Sequence, residues 1–287
     1  MLDCIIIGNG PAGVSAALYT KRANLNTLVI GKDNGALSKA DKIENYYGFP
    51  GGISGKELVE LGLSQLKDLN IDCLNEEVVA IKNEENIFVV ITNKNEYKAK
   101  SVIIATGANR KVPKIEGIKE YEGKGVSYCA ICDAFFFRNK DVAVLGNGEY
   151  ALHEIGELLP VVNSVRVLTN GKEKISVRDD RITVYDKNIK RLSGNDRLEK
   201  VEFEDNTDIN VSAVFVAEGI ASSIDFARRI GAMVEGNNIV VDKNYMTNIP
   251  GLFAAGDAIG GLLQISKAVS DGAGAGIAVI NYVRKNK

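Results

Sequence analysis

Two cysteines separated by two residues, Cys129 and Cys132 in the sequence CAIC, form the most reactive pattern in this chain. A C-x-x-C pair can be half of a zinc site, but a structural zinc ion takes four ligands. The sequence contains no second pair of this kind, and its only histidine is His153. The pair therefore predicts a redox-active dithiol in a reducing cytoplasm, and it predicts no metal site.

The other two cysteines and the histidine have simpler interpretations. Cys4 lies in the apolar stretch DCIIIG and Cys73 lies in NIDCLN, so both are predicted to be buried packing residues. His153 falls in the middle of a predicted helix, where it is interpreted as a surface or packing residue without a chemical role.

A glycine-rich turn, GNGPAG, connects the first apolar strand of the chain to a helix. Gly8 allows the sharp bend, Gly10 lets the backbone approach a pyrophosphate, and Gly13 lets the helix pack closely on the strand. Gly31 ends the second strand, at the position where an acid usually holds the ribose hydroxyls. The turn predicts a dinucleotide site whose ribose is held by backbone or by a neighbour such as Lys32.

A second glycine turn, GNG at residues 146–148, also lies between a strand and a helix, which Pro160 is expected to end. The next strand, SVRVL, runs into Thr169, Asn170 and Gly171, which carry no charge. A ribose phosphate is best held by paired arginines, and a free ribose by an acid. Neither is present, so this second turn predicts a nucleotide fold without its usual ligand.

Composition and charge narrow the class of protein further. Strands and helices alternate after both turns, which predicts an α/β fold with two nucleotide-binding folds, and residues 109–125 are interpreted as a charged linker between them. A net charge of −2 argues against nucleic-acid binding. No apolar segment is long enough to cross a membrane, and a strand that starts at residue 3 leaves no room for a signal peptide.

Five motifs, GNGPAG, IENYYGFPG, IIATGA, CAICD and LFAAGD, occur in an order and at spacings that resemble those of the low-molecular-weight thioredoxin reductases. The resemblance extends over nearly the whole chain. It implies an α/β homodimer with two Rossmann-like dinucleotide-binding domains, in which an FAD domain (1–112 and 245–287) is interrupted by a smaller central domain (113–244). It also implies FAD as the cofactor and thioredoxin as a partner.

The same resemblance implies roles for individual residues. Cys129 and Cys132 would form the redox disulfide, with Cys132 nearer the flavin, and Asp133 would protonate a departing thiolate. An alternative for Asp133 is a helix N-cap, and an alternative for Asn45 is a turn residue. The residues implied to bind FAD are Gly8, Gly10, Pro11, Ala12, Gly13, Gly31, Lys32, Asn45, Val79, Ala105, Thr106, Gly107, Gly256, Asp257, Gln264 and Ile265.

The source of electrons is where the chain departs from that family. The positions that match the arginines of the NADPH-dependent members carry Leu168 to Gly171, the segment that follows is shorter, and IASSID replaces a characteristic loop. Leu263 also stands where an arginine normally precedes Gln264. In these features the chain resembles the ferredoxin-linked flavin thioredoxin reductases of anaerobes. That resemblance predicts electron flow from reduced ferredoxin through FAD and the disulfide to thioredoxin, without NAD(P)H.

Three other functions are compatible with the sequence. The first is an ordinary NADPH-dependent thioredoxin reductase, and the second is a disulfide oxidoreductase with another flavin in the degenerate second site. The third is a flavin-binding redox sensor, which an intact CAICD disfavours. If ferredoxin is the donor, its predicted docking patch comprises the basic residues on either side of the dithiol segment: Arg110, Lys111, Lys114, Arg138 and Lys140.

Overall fold

The computed structural model describes residues 1–107, 113–173, 175–219 and 222–286, with the side chain of Cys132 outside that description. The chain forms two compact units. Met1–Arg110 and Ser222–Lys287 together form one, called here the flanking unit, and Lys111–Ala221 forms the other, the central unit. Within the described residues, no helix combines the length and the apolar character needed to span a bilayer.

The elements follow one another in three blocks. The first block contains β1 (Cys4–Ile7), α1 (Pro11–Arg22), β2 (Thr27–Gly31), α2 (Gly55–Asp68), β3 (Asp72–Asn75), β4 (Val78–Glu84), β5 (Ile87–Thr92), β6 (Glu96–Ala99) and β7 (Val102–Ile104). The second contains β8 (Val126–Ser127), α3 (Ala130–Asp133), β9 (Asp141–Leu145), α4 (Glu149–Leu158), β10 (Ser164–Leu168), β11 (Ile182–Tyr185), β12 (Ile189–Ser193), β13 (Lys200–Phe203), β14 (Asp208–Asn210) and β15 (Val214–Val216). The third contains α5 (Ser223–Arg229), β16 (Val234–Glu235), β17 (Asn238–Ile239), β18 (Leu252–Ala254) and α6 (Ile265–Lys285).

A parallel five-stranded sheet in the order β18-β7-β1-β2-β3 forms the centre of the flanking unit. Its middle strand is a continuous run of apolar residues, of which Ile5 and Ile6 are completely buried. Such runs are typical of parallel strands covered on both faces. Ile5 pairs with Val102 on one side and Leu28 on the other, so three separate chain segments end at the same edge of the sheet. An antiparallel sheet, β4-β5-β6, completes this part of the unit.

Helices α1 and α6 pack against each other through small residues. A β-carbon on Gly272 would lie 2.0 Å from the backbone oxygen of Ala12, and one on Gly276 would lie 2.9 Å from that of Ala16. The Ser15 hydroxyl also donates to the carbonyl of Val269 at 2.7 Å. The two helices can approach this closely only because the contact positions carry little or no side chain.

The central unit repeats the parallel design with the order β11-β10-β9-β15-β8, beside an antiparallel sheet β12-β13-β14. Strands β9 and β10 begin and end at the residues predicted from DVAVL and SVRVL. Helix α4 ends at Leu158, two residues before Pro160. The predicted fold class, α/β with two Rossmann-like units, is confirmed.

Two sequence-based interpretations are wrong. The stretch interpreted as a linker is described from residue 113 onward, and there it is packed structure, because Ile118 and Tyr121 lie in the core of the central unit. Ile115, Ile118 and Tyr121 recur at every third position, but the charged residues between them favoured the linker interpretation. Cys73 is exposed rather than buried, because it lies on β3, the edge strand of the parallel sheet. Cys4 is buried as predicted, and burial raises the pKa of its thiol to about 12.

The division of the chain also differs from the predicted domains. The central unit ends at Ala221, whereas the predicted central domain continued to residue 244. The intervening segment packs on the flanking unit through α5, whose Arg229 Nη1 donates to the carbonyl of Val79 at 3.0 Å. In the sequence, this segment follows the strands of the central unit without a visible boundary. Its long-range contacts are what assign it to the flanking unit.

Because Gly272 meets backbone and not a flexible side chain, we expect Gly272→Ala to destabilise the flanking unit by about 1–3 kcal/mol through overpacking. Gly62, inside α2, is a matched control, since a β-carbon there would lie 3.7 Å from Val14, an ordinary contact. Gly62→Ala should stabilise the unit by up to about 1 kcal/mol through helix propensity. Urea unfolding followed by circular dichroism measures both, and equal effects would contradict this account of the α1–α6 contact.

Candidate active site

The carboxyl edge of the flanking unit's parallel sheet gathers most of the residues predicted to bind FAD. The amide of Gly8 donates to the carbonyl of Ile30 at 2.8 Å, and the amide of Ala105 donates to the carbonyl of Ile7 at 2.8 Å. These bonds hold the GNGPAG turn beside the ATG segment that follows β7. Ligands of open parallel sheets bind at this edge, so the arrangement forms a candidate dinucleotide site.

The glycines of the turn play different structural parts. Gly8 has a φ of +113° and a β-carbon there would lie 2.3 Å from the carbonyl oxygen of Ala105. A β-carbon on Gly13 would lie 1.8 Å from the carbonyl oxygen of Gly8. Gly10 has no neighbour within 4 Å of such an atom and precedes α1, which begins at Pro11. Gly8 and Gly13 are thus required by the fold, while Gly10 leaves open space at a helix N-terminus, where a phosphate is favoured.

Two polar atoms at this edge are buried and lack partners. Thr106 Oγ1 and Asp257 Oδ1 make no hydrogen bond within the described part of the chain. Burial raises the pKa of Asp257. The positive charge of Lys267 partly lowers this pKa, and the negative charge of Asp271 raises it further. Buried polar atoms are normally hydrogen-bonded. The hydroxyls of a bound flavin nucleotide would supply the missing donors, so these residues fit the expected cofactor.

Residues far apart in sequence complete the edge. Asn45 Nδ2 donates to Gln264 Oε1 at 3.0 Å, which joins two predicted FAD residues across 219 positions. Gln264 is also the residue before α6, which begins at Ile265. The amide of Gly256 donates to Asp271 Oδ2 at 3.2 Å, and Lys267 pairs with the same carboxylate at 2.7 Å.

Three further residues predicted to bind FAD lie at the end of β2 or the start of β4: Gly31, Lys32 and Val79. The side chain of Asn9 occupies the space beside Gly31, and Lys32 pairs with Glu77 at 2.5 Å instead of being free for a ribose. Val79 is buried. Ala12 belongs to the GNGPAG turn, and Gly107 belongs to the ATG segment after β7, where it has a φ of +80°. The GNGPAG turn, the ATG segment and the residues around Asp257 and Gln264 are together called the cradle here.

The redox segment lies in the central unit. Cys129 is buried and disulfide-bonded, and it precedes the short helix α3. Its predicted partner, Cys132, has its side chain outside the described atoms. The hydroxyl of Ser127 donates to Asp133 Oδ2 at 2.6 Å, while Asp133 makes no side-chain bond that would cap the following 3-10 helix.

Two polar residues that contact the redox segment CAICD (residues 129–133) were not predicted from the sequence. Glu154 is 1% exposed, and its Oε2 accepts a hydrogen bond from the amide of Ala130 at 2.8 Å, at the start of α3. Ser127 holds Asp133, as described above. The sequence did contain a signal for Glu154, because this acid lies among the apolar residues of its helix. A buried acid usually has a hydrogen-bond partner, so a partner for Glu154 could have been predicted. His153 on the same helix lies 3.8 Å from Glu157, in agreement with a packing or surface role.

The glycine turn of the central unit is closed by its own side chains. Asn147 Nδ2 donates to the carbonyl of Glu173 at 3.1 Å, which ties the turn after β9 to the loop after β10. Lys172 pairs with Glu218, and Thr169 Oγ1 donates to the carbonyl of Lys172 at 2.9 Å. Lys172, the first charged residue after the uncharged segment Thr169 to Gly171, is therefore paired with an acid within the turn.

The fold itself requires the first glycine of this turn. Gly146 has a φ of +154°, and a β-carbon there would lie 2.1 Å from the carbonyl oxygen of Ala217 on the neighbouring segment. The glycine is therefore needed to pack the turn, whether or not a nucleotide binds. Its presence is not by itself evidence for a ligand.

Gly10 provides a test of the candidate FAD site because a β-carbon there would meet no other atom within 4 Å. Its φ of −77° and ψ of −173° suit any residue, so Gly10→Val should fold normally but purify without FAD, since the side chain fills the space next to the turn. Flavin absorbance against protein concentration measures the outcome, with circular dichroism as the folding check. Stoichiometric FAD in a folded Gly10→Val protein would place the cofactor elsewhere.

Comparison with known proteins identifies the family. The family model for pyridine nucleotide-disulphide oxidoreductases matches residues 2–272. A thioredoxin reductase from Aquifex aeolicus is 35% identical over 305 residues, covering 99% of this chain and 94% of that protein.

Solved structures agree with this assignment. An atypical thioredoxin reductase from Desulfovibrio vulgaris Hildenborough is 39% identical, with a TM-score of 0.93 and 99% of each chain covered. A ferredoxin-flavin thioredoxin reductase from Clostridium acetobutylicum is 30% identical, with a TM-score of 0.74 over 99% of this chain and 98% of that one. FAD is the cofactor of this family and therefore of this protein. The fold, the cradle and the similarity over the full length show that the chain belongs to the low-molecular-weight thioredoxin reductases, within the pyridine nucleotide-disulphide oxidoreductase family.

Proposed function

We propose that this protein is a thioredoxin reductase that receives its electrons from reduced ferredoxin and not from NAD(P)H. The observation that carries the proposal is the contrast between its two candidate sites. The redox segment keeps Cys129, Cys132 and Asp133. The turn that would bind a nicotinamide nucleotide instead has its polar groups engaged with one another.

The energetic argument concerns the ribose phosphate of NADPH. Each charge-assisted hydrogen bond to a phosphate contributes roughly 1.5–3 kcal/mol. Here Thr169, Asn170 and Gly171 follow β10, and Asn170 Oδ1 instead accepts from the amide of Ile189 at 2.8 Å. Absence of two such contacts weakens binding about a hundredfold or more. Lys172 would also have to leave Glu218 before it could contact a phosphate.

The name of one similar protein supports the choice of donor. The Clostridium protein is named a ferredoxin-flavin thioredoxin reductase. The Desulfovibrio protein is named atypical, a word that identifies no donor. The curated relatives are named simply thioredoxin reductases. That naming, with the family model, favours NADPH as the second candidate donor.

The proposed residue chemistry uses the dithiol and its surroundings. FAD, when bound, supplies a group that accepts electrons one at a time and gives them up in pairs. One thiolate of the Cys129–Cys132 dithiol attacks the disulfide of thioredoxin, which forms a mixed disulfide and releases one thioredoxin thiolate. The second thiolate then attacks the mixed disulfide and releases the other thioredoxin thiolate, so the Cys129–Cys132 pair is reoxidised as thioredoxin gains two electrons. Asp133, held by Ser127, would donate the proton to the departing thiolate. Glu154 would hold the start of α3 in place.

The proposal includes two further expectations. A dithiol that cycles between states requires a reducing surrounding, which favours the cytoplasm. The family resemblance also favours a homodimer. Sedimentation of the purified protein would show its oligomeric state.

An anaerobic titration distinguishes the two donors. We expect NADPH and then NADH to leave the flavin absorbance unchanged during the time in which reduced ferredoxin bleaches it. Cys129→Ser and Cys132→Ser variants should bind FAD and be bleached by ferredoxin, yet reduce no thioredoxin, because a two-electron disulfide needs both sulfurs. Rapid bleaching by NADPH would favour the second candidate, and absence of bleaching by any ferredoxin would remove the proposed donor.

The predicted docking patch gives a second test. Arg110 and Lys111 lie outside the described residues, whereas Lys114, Arg138 and Lys140 are exposed. Lys140 also lines a groove of about 940 Å³ beside the redox segment. Screening acts over about 8 Å at physiological salt, so docking of an acidic ferredoxin on these residues should slow as salt rises.

We expect Arg138→Glu with Lys140→Glu to lower the second-order rate of flavin reduction by ferredoxin about tenfold or more and to remove its salt dependence. Lys82→Glu with Lys98→Glu is the control, because it changes net charge equally at exposed positions of the flanking unit. Stopped-flow absorbance at several salt concentrations measures the rates. Equal effects of the two double variants would exclude this patch as the docking site.

A further inference from the structure

The FAD cradle lacks the acid that normally ends the second strand of such a site. Gly31 stands at that position, and the space for a side chain there is taken by Asn9, whose Cγ lies 2.4 Å from where a β-carbon would be. An acid at residue 31 would therefore displace part of the glycine turn. The ribose of the cofactor needs its hydrogen-bond acceptor from another segment.

A buried carboxylate lies beside this gap. Asn75, on β3, is paired in register with Gly31, and the amide of Glu76 donates to the carbonyl of Gly31 at 3.2 Å. The next residue, Glu77, is 4% exposed. Its Oε2 lies 2.5 Å from Lys32 Nζ, immediately after the end of β2.

Only one oxygen of Glu77 is satisfied. Oε1 is buried and has no hydrogen-bond partner among the described residues. The adjacent Glu76 is the opposite case, because it is also buried but accepts from Thr92 at 2.7 Å and from Tyr97 at 3.1 Å. A buried charged oxygen without a donor is costly, and native proteins rarely retain one. Glu77 Oε1 is therefore available for a donor from a ligand.

We propose that Glu77 is the displaced ribose acid of the FAD site, with its Oε1 accepting from a hydroxyl of the adenosine ribose. Lys32 is then a positioning residue that holds the carboxylate through Oε2, and it does not contact the ribose itself. The carboxylate reaches the end of β2 from the loop between β3 and β4. An acid therefore still accepts from the ribose hydroxyl, although the position that normally carries this acid is Gly31. The inference rests on FAD as the cofactor and is independent of the electron donor.

The first experiment needs no variant. Apoprotein is titrated with FAD and with FAD analogues that lack the 2′- or the 3′-hydroxyl of the adenosine ribose, and binding is followed by flavin fluorescence. We expect at least one analogue to bind about tenfold more weakly than FAD, because a charge-assisted hydrogen bond is lost. If wild-type protein binds both analogues as tightly as FAD, the proposal is wrong.

The second experiment assigns that loss to Glu77. Glu77→Gln should bind FAD about tenfold more weakly than wild type and should distinguish FAD from the weaker analogue less than wild type does, because the neutral amide oxygen accepts a weaker hydrogen bond than the carboxylate. Glu76→Gln is the matched control, since it changes a neighbouring buried carboxylate that already has its donors, and it should keep full discrimination. Undiminished discrimination in Glu77→Gln, or an equal reduction in Glu76→Gln, would overturn the assignment. Because no electron donor is present, these outcomes are separate from the ferredoxin titration.

Discussion

Contact between backbone atoms at the GNGPAG turn is the constraint on which the flanking unit depends. Gly8 rests against the carbonyl of Ala105, Gly13 rests against the carbonyl of Gly8, and Gly272 of α6 rests against the carbonyl of Ala12. The start, the middle and the end of the chain therefore meet where no side chain separates them. The candidate FAD site is formed by this convergence, and a single methyl group added at any of these glycines would disturb the packing of all three segments.

The central unit separates two requirements that are usually fulfilled together. A nucleotide fold needs a glycine at its first turn for packing, and it needs charged residues at the second strand for its ligand. Gly146 still meets the first requirement, because the carbonyl of Ala217 leaves no room for a side chain. Thr169 to Gly171 do not meet the second. The steric part of such a motif can thus be retained while its electrostatic part changes.

Sequence patterns predicted the parallel strands and their turns well, because a buried strand followed by glycine and a helix is determined locally. Sequence patterns did not predict burial correctly where it depends on contacts between residues far apart in the chain. Ile118 and Tyr121 become core residues only through strands that follow them, and Cys73 is exposed because β3 has no neighbour on one side. Glu77 was equally invisible, since its value as an acceptor depends on the register between β2 and β3. The Asn45–Gln264 bond, in contrast, joins two residues that family resemblance had already named.

The unpartnered atoms of Thr106 and Asp257 have a consequence for the life of the protein in the cell. Burying them without donors makes the flavin-free chain less stable than its core alone would allow. A ligand that binds only the folded state stabilises it in proportion to the logarithm of its free concentration. Folding is thereby coupled to flavin supply. Newly made chains without the cofactor would therefore open more often and be more accessible to proteases, so we expect the level of the protein to follow the availability of riboflavin-derived nucleotides.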